Sequence, residues 1–396
     1  MRSRSIDSAP LVSLVRCPGY EPAVVAAALQ GLLEPLGGME QYVRPGQRVL
    51  LKPNLLSPVS PDRAVTTHPA VVEAVTRMVQ ACGGRPLLAD SSPPSVPYTP
   101  AGLQRLYRRT GMADVAARTG LELNSDTEVV DRPCPAGCIR RRFEVMRPLD
   151  EADVVISLPK LKTHNLTVLT GAVKNMFGVI PGPRKTAFHV ALLRLDDFAD
   201  MLLDIALLAN PALVIMDAVV GMDGEGPSGG RPFPMGLLLA STSSLALDVI
   251  VAEIVGIPPR EVPTLRRAAE RGLWSGQVAE VEVCGLELAE ARVSGFRRPE
   301  RNPPLVERLV GRGPAALMRR LAVRYAMRRP LPRAGRCTAC RACEQTCPVG
   351  AIAVRKGLAR VDDSRCIRCY CCHEVCPEKA IDLVTPWLAR ALAKAR

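Results

Sequence analysis

The chain has 396 residues, 47% of them hydrophobic and 23% charged, with a formal net charge of +13 and only 4% aromatic residues. That length admits more than one domain and a large core, while the shortage of rings argues against a surface that stacks single-stranded bases. The charge is local: residues 297–336 hold twelve arginines against two glutamates, whereas residues 1–296 carry 30 basic and 31 acidic side chains.

The opening MRSRSIDSAPLVSLVRCPGYEP lacks the apolar core and cleavage site of an export signal. The strand RVLLKPN (48–54) is followed by a helix over 68–84, with Thr67 as its expected cap, Pro69 in its first turn and Gly83–Gly84 at its end. A strand at 85–92 leads to a helix over 101–119, broken near Gly111. The apolar strand 152–160, an amphipathic helix 190–209 and a buried strand 212–219 come next, then strand 235–241 feeding a helix over 244–256. Ser241, Ser243, Ser244, Asp248 and Glu253 interrupt the apolar run from Met235 to Ile257, so no transmembrane segment is expected and the location reads as cytoplasmic. Continuous Val/Ile/Leu runs alternating with helices indicate an α/β fold: a mostly parallel, Rossmann-like sheet with helices on both faces. Lys52 and Asn54, Asp90 and Ser91, Lys160 to His164, Asp217 to Glu225 and Ser241 to Ser244 all follow strands. They gather where open α/β sheets bind ligands, beyond the carboxyl ends of the strands.

Residues 1–296 form this α/β domain. Residues 297–335 read as an Arg/Pro-rich linker containing a helix over 314–329, expected as a solvated or domain-docking face, with a membrane-surface helix or a docking pad for an acidic redox partner as the alternatives. No base-reading motif accompanies its charge, so nucleic acid is not an expected partner. Residues 336–385 form a second domain, and 386–396 a basic tail.

Nine of the fourteen cysteines lie between Cys337 and Cys376. CTACRACEQTCP (337–348) has the spacing Cys-x2-Cys-x2-Cys-x3-Cys-Pro, and CIRCYCCHEVCP (366–377) repeats it. This duplication resembles the bacterial two-cluster ferredoxin, a small α+β domain. The resemblance implies two [4Fe–4S] clusters, each taking three cysteines from one motif and the fourth from the other. The ligands are then Cys337, Cys340, Cys343 and Cys376 for one, and Cys366, Cys369, Cys372 and Cys347 for the other. Zinc is the competing metal. Cys371 is read as a non-ligand, because using it would spoil the spacing on both sides.

The segments KPNLL (52–56), TTHP (66–69), PKLKTHNLTVLTGAVKNMFGVIPG (159–182), DAVVGMDGEGPSGG (217–230) and ALD (246–248) resemble the family called domain of unknown function 362, whose members often carry ferredoxin modules. The resemblance implies a fold and an iron–sulfur association, without a reaction. No acid lies between Asp153 and Asp196. The bases there, with Lys52 and Asn54, therefore read as a site for an anionic small molecule formed by Lys52, Asn54, Lys160, Lys162, Lys174 and Asn175. His164 and His189 are candidate proton carriers. GMDGEGPSGG (221–230) permits close backbone approach but matches no nucleotide-binding loop. Asp217, Asp223 and Glu225 would suit Mg²⁺, against the alternative of solvated loop acids. Cys134 and Cys138 read as free thiols.

Three functions fit: a ferredoxin-linked oxidoreductase that acts on the anion and meets a redox partner protein, a non-catalytic electron carrier or assembly subunit, and a non-redox isomerase or lyase with structural or sensory clusters. The fusion favours the first, since a mere carrier needs only the small module. Oligomeric state leaves no mark in the sequence.

Overall fold

A computed structural model describes residues 9–300, Tyr325 and residues 327–386. The helix expected over 314–329 lies almost entirely outside the described residues, as does the tail beyond residue 386.

Eight strands form the main path of a mixed, mostly parallel sheet. Their order is Glu282–Gly285, Leu11–Arg16, Arg231–Ser241, Leu213–Asp223, Val154–Leu158, Arg48–Pro53, Arg85–Leu88 and Glu122–Leu123. Arg231–Ser241 runs antiparallel to both of its neighbours. It forms with Leu213–Asp223 a long hairpin that projects past the sheet, where the sequence suggested two separate strands. The continuous apolar runs are explained by burial on both faces. One face packs Leu51, Ile156 and Ile215 against helices Pro22–Leu33, Pro69–Ala81, Pro100–Arg109 and Met112–Thr119. The other packs Val214 and Leu237 against Ser244–Ile254, and Leu50 and Val155 against Leu195–Ala209.

Local chemistry sets several boundaries. Thr99 and Ser243 cap their helices by accepting from the Gly102 and Ala246 amides. Gly111, at φ 76°, divides the expected 101–119 helix in two. The cap expected of Thr67 belongs instead to His68, whose Nδ1 accepts from the Ala70 amide at 3.2 Å. Thr67 ties neighbouring strand ends, donating to the Leu158 carbonyl and accepting from the Asn54 amide.

Beyond Pro159 a buried strand, Lys160–His164, continues alongside the hairpin, with Lys160 opposite Asp217. A short strand, Val168–Leu169, and a helix, Gly171–Asn175, follow. Asp248 holds that helix start by accepting from the Ala172 and Val173 amides at 2.6 and 3.0 Å. Burial nevertheless pushes the Asp248 carboxyl up to about 7.

The small domain begins earlier than residue 336. Arg329–Pro332, inside the expected linker, pairs antiparallel with Ile381–Val384, while Ile352–Arg355 pairs with Leu358–Val361. The domain packs directly on the hairpin tip. Ser228 Oγ donates to the Glu374 carbonyl at 2.6 Å, Arg63 to the Pro377 carbonyl at 2.9 Å, and Lys379 to the Gly230 carbonyl.

Candidate functional site

The cysteines fall into two groups around two cavities. Cys337, Cys340, Cys343 and Cys376 line one of about 330 Å³, and Cys347, Cys366, Cys369 and Cys372 line another of about 360 Å³. The first cavity thus gathers three thiols from one motif and one from the other; the second does the same and is lined by Cys371 as well. Among the described residues, no three His, Cys, Asp or Glu side chains converge on a single point. Three thiols from one motif with a fourth from the other is the donor set that a [4Fe–4S] cubane takes.

The duplication extends to the backbone. Ala339 and Arg341 in the first motif, and Arg368 and Tyr370 in the second, all take left-handed φ angles between 55° and 64°. Each motif then enters a short helix, Ala342–Thr346 or Cys371–Glu374. The amide four residues past the last cysteine donates to its sulfur: Ala351 to Cys347 at 3.1 Å, and Ala380 to Cys376 at 3.2 Å. Such N–H···S bonds favour a charged thiolate.

A third cavity lies between the two domains. The α/β domain contributes Asn54, Asp90, Lys162, Lys174, Lys185 and His189, among others. Thr346, Cys371, Glu374 and Val375 of the small domain also line it. Four buried polar atoms on this wall make no hydrogen bond among the described residues: Thr170 Oγ1, Thr346 Oγ1, Asp90 Oδ1, which lies 3.1 Å from the Lys52 ammonium, and Glu374 Oε1, which lies 3.3 Å from His164 Nε2. Such groups are rare in folded proteins and mark places where a polar group belongs.

The lysines divide sharply. Lys160 is not at the cavity: its ammonium meets the buried Asp217 at 2.8 Å and the half-buried Tyr20 at 2.7 Å. Lys52 is likewise compensated, 3.1 Å from Asp90. Both carboxylates arrive on neighbouring strands, so the charge that looked uncompensated in the sequence is partly neutralised in the fold. Lys162, Lys174 and Lys185 make no ion pair among the described residues. Lys162 donates to Asn54 Oδ1 and the Val65 carbonyl, while Lys185 donates to the Ser91 and Ser92 carbonyls. Burial lowers all three ammonium groups, Lys162 well below the ordinary range and Lys185 to about 8, with nearby Lys174 adding to the shift in both. Asn175 is fixed by donation to the Lys52 carbonyl and Ser157 Oγ.

His189 lines the cavity with its ring 4.7 Å from that of Phe198, and burial then Lys174 hold it down to about 3. His164 lies outside the cavity lining and faces the small domain. Its Nδ1 accepts from the Leu166 and Thr167 amides, leaving the proton on Nε2, 3.3 Å from Glu374 Oε1. That approach is an ion pair only if the ring is charged, and burial together with Lys174 lowers the imidazole well below its ordinary range. We therefore take the contact as dipolar, made to a carboxyl that burial has itself raised.

Asp217, Asp223 and Glu225 do not assemble a cation site. Lys160, Arg231 and Arg328 respectively neutralise them, and the first two are wholly buried rather than solvated. The glycine-dense segment is the hairpin tip. A Cβ on Gly229 would lie 2.6 Å from His373 Cε1, so the close approach it permits is to the small domain. Cys134 and Cys138 are separate thiols, with the Cys138 amide donating to Asp204.

Sequence reasoning passed over Thr346, Glu374 and the cavity side of Cys371. Glu374 is the sole acid inside the second motif, a signal that was available.

Comparison with known proteins places this geometry. The profile for a 4Fe-4S dicluster domain matches residues 330–377. The thylakoid-associated protein sll1697 of Synechocystis sp. is 38% identical over 268 residues, covering 66% of this chain and 79% of that protein. The lactate racemase apoprotein from Thermoanaerobacterium thermosaccharolyticum shares 13% identity at a TM-score of 0.38, spanning 64% of this chain and 58% of that one. No helix among the described residues is long and apolar enough to cross a membrane. The profile described as Domain of unknown function (DUF362) matches residues 49–253, more than half of the chain, which therefore belongs to that family and carries a 4Fe-4S dicluster domain behind it.

Proposed function

We propose that this is a cytoplasmic oxidoreductase with two [4Fe–4S] clusters, which exchanges electrons between a redox partner protein and an anionic small molecule held between its domains. A reducing compartment suits iron–sulfur ligation and its free thiols. Cys337, Cys340, Cys343 and Cys376 hold one cluster; Cys366, Cys369, Cys372 and Cys347 hold the other. When bound, the clusters supply electrons one at a time.

One observation carries the reading: three lysines without ion pairs share a cavity with the second cysteine motif. Lys174 and Lys185 attract the negative group, and Lys162 is held in place by Asn54 and Val65. Thr170 and Thr346, whose buried hydroxyls have no hydrogen-bond partner among the described residues, favour a ligand that brings hydroxyl or amino groups as well as charge. His189, held neutral by burial and then Lys174, is a weak base and meets the ligand as an uncharged hydrogen-bonding ring. Lys52 and Lys160 keep the surrounding strand ends in register through their carboxylates. His164 orients the domain interface.

The test is anaerobic purification of the iron-loaded chain, with mass spectrometry of the small molecules released on denaturation. The wild type should release an anion that a Lys162→Met/Lys174→Met variant of equal iron content lacks. Identical release profiles from the two proteins would overturn the proposal.

A further inference from the structure

Helix Gly182–Ala191 brings Lys185, Thr186 and His189 to the wall of the inter-domain cavity, with Lys185 and His189 one turn apart. The Lys185 side chain is half-buried and reaches no carboxylate. It donates to the Ser91 and Ser92 carbonyls at 3.4 and 3.2 Å, the long end of the hydrogen-bond range. Asp90, the acid that faces it, is already engaged: the Lys52 ammonium lies 3.1 Å from one carboxylate oxygen, and the Leu55 amide donates to the other at 2.8 Å. Glu374, across the cavity, meets His164 at 3.3 Å instead. Lys162 and Lys174 line the same space and add positive charge to it. Burial and like charges both favour an uncharged amine in such company. Burial first, then Lys52 and Lys174 against the pull of Asp90, lower the Lys185 ammonium to about 8. At pH 7 roughly one molecule in ten then carries the free amine, against roughly one in 2,500 for an ordinary lysine near 10.4.

We infer that Lys185 is a nucleophile that condenses with the carbonyl group of a small oxo acid held in this cavity. The inference rests on the anion reading above and gives that anion a chemical class: a carboxylate that also carries an aldehyde or ketone. The three cavity lysines divide the work. Lys174 stands 5.7 Å from the centre of the Phe177 ring, a position that suits a cation, and keeps the negative end of the ligand. Lys162 is 0% exposed and tied to Asn54 Oδ1 and the Val65 carbonyl at 2.7 and 2.6 Å, so it is the least accessible. Lys185 is open to the cavity, and its uncharged amine spends its two hydrogens on the Ser91 and Ser92 carbonyls, leaving the lone pair for the ligand. Its Nζ forms a bond to the carbonyl carbon as the carbon–oxygen double bond breaks. The oxygen departs as water with both amine hydrogens, and an imine remains. No oxidant, reductant or further reactant enters this step. Desolvation beside other cations is a recognised way to activate lysine for it.

The experiment incubates the full iron-loaded chain anaerobically with glyoxylate, pyruvate or 2-oxoglutarate. Cyanoborohydride reduces any imine to a stable secondary amine, and adducts are mapped by peptide mass spectrometry. Lys185 should gain the mass of the oxo acid less one oxygen with at least one of the three, and at least about tenfold faster than the exposed Lys356. Lys185→Arg keeps the positive charge and should lose the trapped mass without passing it to Lys162 or Lys174. Adducts spread evenly over the lysines, adducts centred on another lysine in either protein, or none at Lys185 with any of the three probes would overturn the proposal. Butanone, a ketone without charge, separates it from the anion reading. An adduct at Lys185 that forms as fast with butanone as with the oxo acids keeps the amine chemistry and removes the anion. An unlabelled Lys185 in a protein that releases an anion does the reverse.

Discussion

Lys160 and Lys174 come from one basic stretch and have opposite tasks. Lys160 is 1% exposed and locked to Asp217, so losing it strands a carboxylate in the core. Lys160→Met should destabilise the protein by about 3–5 kcal/mol, the usual cost of breaking a buried pair. Lys174→Met should leave the denaturation midpoint nearly unchanged or raise it, because that ammonium has no ion pair to lose. Chemical denaturation of the two variants side by side checks the contrast. Lys185 offers a second check. With its ammonium lowered to about 8 by burial, it is still charged at neutral pH and sheds its proton as pH rises through that value. Acetylation read by peptide mass spectrometry should titrate at Lys185 near about 8, against the ordinary lysine range near 10.4. Anion affinity that depends on this charge is full below about pH 8 and falls above it. The sequence displayed the bases but hid their partners, because Asp217 lies 57 residues beyond Lys160 and reaches it only through strand pairing. The cluster cysteines were easier to read, since three of each four are fixed by spacing within one short segment.

Among the elements, the hairpin from Leu213 to Ser241 does most to assemble the site. Its base belongs to the sheet, and its tip carries the small domain through Ser228 and Gly230. A methyl group on Gly229 would press on the His373 ring and on the Glu225 carbonyl, 2.7 Å away. Gly229→Ala should therefore loosen this contact without unfolding the sheet. Hydrogen exchange should quicken over residues 371–376 and stay slow in strands 48–53 and 154–158. Equal protection at both places would show that the tip is not the anchor. The break at Gly111 was legible because a positive φ is a local property, whereas the caps at Thr99 and Ser243 went unnamed and the one expected at Thr67 fell to His68. The hairpin was not legible, since its glycines read equally well as a ligand loop until the other domain is in view.

For the molecule as a whole, stability is unevenly supplied. The sheet has extensive cores on both faces. The small domain's core is little more than Ile352, Ala359, Ala380 and Ile381 beside its own cysteines. Metal must therefore provide much of its folding free energy. Chelating the iron anaerobically should unfold residues 329–386 while the sheet keeps its protection. It should also abolish retention of the anion, because Thr346, Cys371 and Glu374 leave the cavity together. A single cooperative loss of both domains would contradict this division. The repeated left-handed turns have one more consequence. The dicluster unit nearly repeats itself under a half-turn, so in principle it could sit on the large domain either way round. Positions 371, 373 and 374 correspond to Ala342, Glu344 and Gln345 in the first copy. An inverted seating would lose the His373 contact, made by Nε2 3.2 Å from the Glu225 carbonyl, and bring an acid toward that oxygen instead. Three side chains thus break a pseudosymmetry that the backbone leaves open, and they determine which end of the dicluster unit faces the large domain.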